Sequence, residues 1–316
     1  MRKHNSIVIK VLIISLIILV FLKKIDIEEV TRCLLNINQG IVFVAFVLVC
    51  VMCAFLTLKW KILLDNISFI QLLQGILIQH IVTYSLGGQL LGEGSKILAF
   101  RKKQEDKSKI VASILVDKIT SFLGVFLMGL FGMAFSKISL PNQYKLFYFC
   151  IVGGCICIIS GLFNNKTLKL LSEFAKWMKD RNCLLKKTSE ILWNVFLALQ
   201  HYVSEPKRIL LSILAGIVLQ FISVSVSFLL FYAMDITIGF GDLCWIISLT
   251  SVISVIPLSI MGMGVNQIST ISLLVLVGIT KESAAGYSLV LYVLMIGVAI
   301  LATLLLVFLR RKKYIC

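Results

Sequence analysis

Residues 69–109 read FIQLLQGILIQHIVTYSLGGQLLGEGSKILAFRKKQEDKSK. This apolar run empties into a basic cluster, and the side of a membrane on which that cluster lies decides the fold. With 59% hydrophobic residues and a mean hydropathy of +1.01 over 316 residues, the chain would expose large apolar patches as a soluble globule. It reads as an all-α polytopic membrane protein. Its apolar runs fall near residues 5–22, 40–57, 69–92, 110–136, 146–163, 209–234, 243–278 and 285–309. Most are long enough to cross roughly 30 Å of hydrocarbon as a helix. The first run reads as a signal anchor, because no small-residue cleavage site follows Phe21 and Leu22.

If every run crossed, the six basic residues between Glu93 and Lys109 would face the side opposite Arg2, Lys3, Lys59 and Lys61. Short loops rich in Lys and Arg stay cytoplasmic, so that topology is poor. The conflict disappears if 69–92 enters from the cytoplasm, turns at Gly87 and Gly88 and returns, and if 243–278 enters from outside and turns between Pro257 and Gly264. The cytoplasmic side then holds 23 of the 31 Lys and Arg residues, including nine within 166–208 and the four of Arg310–Lys313. Six remain outside, at Lys23, Lys24, Arg32, Lys137, Lys145 and Lys281, while Lys10 and Lys118 lie within spans. The expected architecture is about six full spans plus two re-entrant helical hairpins.

Local composition supports both turns, because a helix broken within lipid needs side chains or water for its freed backbone groups. The first turn carries Gln74, Gln79, His80, Thr83, Tyr84, Ser85 and Gln89 around its glycines. The second carries Ser251, Ser254, Ser259, Asn266 and Gln267 around Pro257, Gly262 and Gly264. Glycines alone would fit a kinked helix with a small-residue packing face equally well, and it is the charge map that favours re-entry. Element order then repeats as span, span, hairpin, span, over about 1–136 and again over about 146–309 from the other side. Gly87 and Gly262, Ser108 and Ser283, and Ser113 and Ser288 coincide at one offset of 175. The whole of 1–316 therefore reads as a single integral membrane domain with an inverted-topology repeat, the architecture many secondary transporters use.

Three motifs carry a family resemblance: Gly92-Glu93-Gly94-Ser95-Lys96, Asp117-Lys118 within the next span, and Gly262-Met263-Gly264-Val265-Asn266-Gln267 after Pro257. Over nearly its whole length the chain resembles the lysylphosphatidylglycerol synthase transmembrane-region family, flippase-like membrane proteins that include the flippase half of the multiple peptide resistance factor. Lys96 and Lys118 stand where that pattern has arginines, and Asn266-Gln267 where it has Arg-Glu. The resemblance implies movement of a polar-headed lipid between leaflets, the lipid being a phospholipid, an aminoacylated phospholipid or a polyprenyl-linked lipid. The alternative is a membrane component of a phosphatidylglycerol lysyltransferase, or of another lipid- or glycan-modifying system. Lysyl transfer would require a soluble domain for which the spans leave no room, so enzymatic activity is not expected of this chain.

The candidate substrate-binding residues are Glu93, Lys96, Asp117, Lys118, Asn266 and Gln267, since ionisable groups at membrane depth usually face a protein-lined cavity. Lys96 and Lys118 suit a phosphate as point charges, and Glu93 and Asp117 suit a cationic moiety or the orientation of those lysines. The bland alternatives are a helix-start carboxylate, a snorkelling lysine and a self-neutralising Asp-Lys pair. Asn266 and Gln267 fit either an uncharged contact to a head group or a cap on a broken helix.

The segment 164–208 sets Leu170, Leu171, Phe174, Trp177 and Met178 among Lys169, Lys176, Lys179 and Arg181. It reads as an amphipathic cytoplasmic helix on an anionic leaflet. The net charge of +16 is accounted for by topology and lipid, with no nucleic-acid partner expected. Ser160–Thr167 lacks both glycines of a phosphate-binding loop. The nine cysteines read as buried thiols, and no metal or other cofactor is expected. Expected partners are membrane lipids and, under the alternative reading, a separate lipid or glycan synthase. The expected location is the plasma membrane, multi-pass, with both termini cytoplasmic.

Overall fold

The computed structural model describes residues 35–100, 107–136, 205–254 and 265–315, together with positions 146, 148–150, 153–154, 173 and 202. The expected span at 5–22, most of 146–163, most of the amphipathic segment 164–208, and Pro257, Gly262 and Gly264 lie outside the described residues. Eight α-helices are described: α1 Gln39–Leu63, α2 Phe69–Val82, α3 Gln89–Ser95, α4 Lys107–Phe135, α5 Pro206–Ala233, α6 Phe240–Ile253, α7 Val265–Leu276 and α8 Lys281–Ile315. No strand occurs among the described residues.

Length separates these helices into two kinds. Four of them, over Gln39–Leu63, Ser108–Phe135, Pro206–Ala233 and Lys281–Leu309, are long and apolar enough to cross a membrane. The remaining spans of the expected six fall outside the described residues. The short helices α2 and α6 have 14 residues each, a rise of roughly 21 Å, which falls short of a bilayer core. Along the chain a long helix, a pair of short helices and a long helix follow one another twice.

Local sequence explains where the elements start and break. Asn38 caps α1 by accepting from the Ile41 amide at 3.3 Å, and Pro206 opens α5, where its missing N–H is no loss. After Val82 the chain widens into a π-helical turn over Thr83–Gly87, and Gly88 then takes φ 91° and ψ 173°. That backbone conformation is almost confined to glycine, and it reverses the chain. The two arms lie side by side: a Cβ at Gly92 would meet Thr83 Oγ1 and sit 3.0 Å from the Gln79 carbonyl, and one at Gly75 would sit 3.6 Å from the Lys96 carbonyl. Helices α2 and α3 with the 3-10 turn Lys96–Phe100 thus form an antiparallel hairpin.

The long helices pack through small residues. On α4 and α5, Gly124 approaches Gly216 so closely that a Cβ would fall 2.6 Å from the Gly216 carbonyl carbon. One turn away Thr120 Oγ1 and Ser212 Oγ hydrogen-bond at 2.8 Å. On α4 and α6, a Cβ at Gly132 would lie 2.5 Å from the Trp245 nitrogen, and one at Gly241 would lie 2.7 Å from the Phe135 carbonyl. Close backbone approach of this kind is how helices associate where no hydrophobic effect separates them from their solvent. Side chains pointing outward, such as Phe43, Val47 and Phe55 on α1 and Leu304, Val307 and Phe308 on α8, are exposed and apolar, as a hydrocarbon solvent requires.

Contacts between the two halves are reciprocal. The long helix α4 packs on the short helix α6, and the long helix α8 packs on the short helix α2. Between them α1 runs against α5, and Tyr287 of α8 stacks on Phe231 of α5 at 4.3 Å between centroids.

Candidate functional site

Five charged side chains meet where α1, the first hairpin and α4 converge. Asp117, on α4, lies ten residues from the start of that helix, roughly 15 Å along its axis. Its Oδ1 is 2.9 Å from Lys59 Nζ, and its Oδ2 is 3.0 Å from Lys96 Nζ. Lys96 Nζ is also 2.8 Å from Glu93 Oε2. Glu93 Oε1 accepts from Gln79 Nε2 at 3.1 Å and lies 3.5 Å from Lys118 Nζ. The order of pairing is therefore Lys59, Asp117, Lys96, Glu93, Lys118.

Lys59, Asp117 and Lys96 are enclosed, and exposure rises at Glu93 and Lys118. Lys59 and Lys96 are 0% and 1% exposed at the side chain, Asp117 6%, Glu93 15% and Lys118 22%. Charges this deeply enclosed are tolerable only when paired and hydrogen-bonded, because each loses its hydration shell. Trp60 closes the inner end: Lys96 Nζ stands 5.1 Å from its ring centroid, its indole N–H donates to Ser113 Oγ at 3.0 Å, and Phe100 meets it edge-on at 5.8 Å. Lys118 is the open end, held loosely by Glu93 and by the face of Phe122 at 5.3 Å.

Lys59 is the most enclosed of the five. Its Nζ donates to the Asp117 carbonyl at 2.9 Å and to Ser121 Oγ. Ser121 spends its own proton on the Asp117 carbonyl at 2.7 Å, so its oxygen accepts from the lysine. The same nitrogen lies 2.9 Å from Asp117 Oδ1 as an ion pair.

The fold thus brings together Glu93, Lys96, Asp117 and Lys118, the four ionisable residues selected from sequence. Asn266 and Gln267 lie in the first turn of α7, which packs mainly on α6 and α8. The two short-helix pairs are linked: Ser254, at the end of α6, hydrogen-bonds Gln89 Oε1 at 2.8 Å, one turn before Glu93. Gly87 and Gly88 lie at the reversal of the first hairpin.

Sequence reasoning missed Lys59, counting it with Lys61 as a cytoplasmic loop charge. Lys59-Trp60-Lys61 reads as an interfacial cluster, but α1 continues to Leu63 and carries Lys59 inside it. Lys61 does behave as an end-of-helix residue, donating to the Ile67 carbonyl at 2.6 Å. Beside it, outside the spans, Asp65 receives a hydrogen bond from Arg208 Nη2 at 2.6 Å. That guanidinium holds the Asp65 carboxyl below the usual carboxylate range.

Chemically, the cluster offers a charged recess with one accessible cation and one partly accessible carboxylate, bordered by the polar arm of a hairpin. No curated protein matches the chain. Residues 7–302 match the family described as Lysylphosphatidylglycerol synthase TM region, and the chain, a helical membrane protein, belongs to that family.

Proposed function

We propose that this chain moves a polar-headed lipid between the leaflets of a bilayer, in the manner of a flippase, and does not itself synthesise the lipid. The observation that carries this reading is the buried ion cluster, most exposed among its described residues at Lys118 and Glu93, beside a hairpin whose helices are too short to cross a membrane. A head group lodges at that mouth while its acyl chains stay in hydrocarbon, so the whole lipid never needs a closed cavity. Glu93, Lys96, Asp117 and Lys118 form the head-group site. Asn266 and Gln267 supply uncharged contacts from the second short-helix pair. The head group is that of a phospholipid, an aminoacylated phospholipid or a polyprenyl-linked lipid.

In the topology we favour, the chain is one integral membrane domain with six spans, repeats over about 1–136 and 146–309, and both termini in the cytoplasm at the plasma membrane. Both hairpins are re-entrant, turning at Gly87 and Gly88 and between Pro257 and Gly264. Reciprocal packing of α4 on α6 and α8 on α2 supports the repeat. Single cysteines in a cysteine-free background test the topology. Positions 68 and 100 should label only from the cytoplasm, and 242 and 281 only from outside; labelling of 68 and 100 from opposite sides rules out the first re-entrant hairpin.

Function is tested with purified protein in liposomes. Transfer of labelled lipid between leaflets should exceed that of protein-free vesicles for at least one head group in a broad panel. A second reading is favoured by the family description, which names a synthase: the chain would be the membrane component of a lysyltransferase or a related modifying system, with catalysis supplied elsewhere. Stimulation of a separate catalytic subunit with no lipid transfer would favour that reading. Synthesis of aminoacylated lipid from charged tRNA by this chain alone would overturn both.

A further inference from the structure

Counting the charges in the cluster narrows the class of head group. Among the described residues three lysines, Lys59, Lys96 and Lys118, face two carboxylates, Asp117 and Glu93. Lys59 Nζ pairs with Asp117 Oδ1 at 2.9 Å and donates to the Asp117 carbonyl and to Ser121 Oγ. Lys96 is enclosed between two carboxylates and an indole face, an environment that stabilises only the cation. The cluster therefore carries one positive charge more than it can neutralise within itself. The excess emerges at Lys118, whose single carboxylate contact is the longest in the chain of pairs.

We infer that the site selects head groups bearing one net negative charge, a phosphodiester monoanion above a zwitterion, a dianionic phosphomonoester or a cationic aminoacylated head group. In a low-dielectric surround an unpaired charge is costly, and a ligand that brings the cluster to neutrality removes that cost. A zwitterion leaves the excess in place, a dianion inverts it, and a cation doubles it. Lys59 takes part without touching the lipid: it neutralises one charge of Asp117, leaving the rest of the cluster in surplus, and is thus a positioning residue. Diacyl phosphodiesters and polyprenyl phosphodiester glycolipids share the chemistry, so the head group and not the tail decides.

This inference rests on the proposed lipid movement and is tested in the same proteoliposomes. The probes are labelled phosphatidylglycerol, a polyprenyl phosphodiester glycolipid, phosphatidylcholine, phosphatidic acid and lysylphosphatidylglycerol. Either phosphodiester monoanion should cross at least about tenfold faster than the zwitterionic and cationic lipids. Lys118→Gln, at the mouth, and Lys59→Met, which no lipid reaches, should both abolish the preference for the monoanion over the zwitterion. Glu93→Gln should shift preference toward phosphatidic acid by about tenfold. That shift is a gain that misfolding cannot produce, and it keeps the inference exposed if Lys59→Met fails to fold. Equal or faster movement of the cationic lipid, or unchanged selectivity in Glu93→Gln, overturns the charge argument and leaves lipid movement standing. If no lipid moves above protein-free vesicles, the functional reading itself falls, and the inference with it.

Discussion

The two short-helix pairs are alike in order and length but opposite in chemistry. The first, α2 and α3 with the turn that follows, carries Glu93 and Lys96 and docks on Asp117. The second, α6 and α7, has among its described residues a single charge, Asp242, placed at the start of α6 and hydrogen-bonded by Ser136. Its polar groups are hydroxyls and amides: Thr250, Ser251, Ser254, Asn266 and Gln267. Among the described residues a like order of helices thus carries an ion cluster in the first pair and none in the second. The second pair is linked to the first by a neutral hydrogen bond, Ser254 to Gln89. Helix order and charge are separable properties, and mutations should separate them.

The largest effect is expected at Asp117. Removing its charge with Asp117→Asn strands Lys59 and Lys96 against each other, and breaking a buried ion network in this way costs about 3–5 kcal/mol. Thermal unfolding in detergent should fall sharply, whereas Glu93→Gln, which leaves Lys96 its bond to Asp117, should lower it far less. Equal losses would mean that the first pair is held by the whole cluster and not by Asp117.

Next come the helix crossings, which the two halves share. Gly124→Val should destabilise by about 1–3 kcal/mol or more, because backbone atoms of Gly216 have nowhere to move. Gly94→Ala, with nothing within 4 Å of the added methyl and a helical backbone, should instead stabilise by about 0.4–1 kcal/mol. Opposite signs in the same melting assay would confirm that glycine serves packing in α4 and not flexibility in general.

A smaller effect should report the contact between the pairs. A double-mutant cycle with Gln89→Ala and Ser254→Ala should show a coupling of about 0.5–1.5 kcal/mol, the worth of one hydrogen bond. Zero coupling would show the two pairs to be energetically independent.

The smallest effect lies outside the spans, at Asp65 and Arg208. Because Arg208 lowers the folded-state pKa of Asp65, the pair contributes above the unfolded carboxylate value of about 3.9 and is lost as pH falls through the lower folded value. Both groups are substantially exposed, so the contribution is at most about 1 kcal/mol. The stability difference between wild type and Asp65→Asn, measured across pH 7 to pH 3, should shrink toward zero at the acid end.

How far the sequence could be read depended on whether a residue announced itself by local contrast. Glu93, Lys96, Asp117 and Lys118 are charges set in apolar or glycine-rich surroundings, and they converge in space. The reversal of the first hairpin was visible in Gly87-Gly88, whose second member takes a left-handed φ. Lys59 gave no such contrast, since a lysine near the end of an apolar run and beside Trp60 and Lys61 looks like an interfacial residue. Its role depends on α4 passing alongside, a tertiary fact that no window of sequence contains. The charge map also treated Lys59 and Lys96 as loop charges, although both are enclosed by protein.

The burial of Lys59 has a consequence for how the protein is made. Its counter-charge lies 58 residues downstream, so when α1 leaves the ribosome the partner does not yet exist. A lysine entering a bilayer on an isolated helix costs up to about 2.5–3.5 kcal/mol at the helix centre and less toward its end. The run of Val, Phe and Leu preceding Lys59 offsets this, each such residue favouring insertion by about 0.3–0.6 kcal/mol. Only when α4 arrives with Asp117 does the stranded ammonium find its acceptor. Lateral sorting of nascent helices thereby acquires a proofreading step: α1 is satisfied by the segment that carries the matching acid and by no merely apolar neighbour.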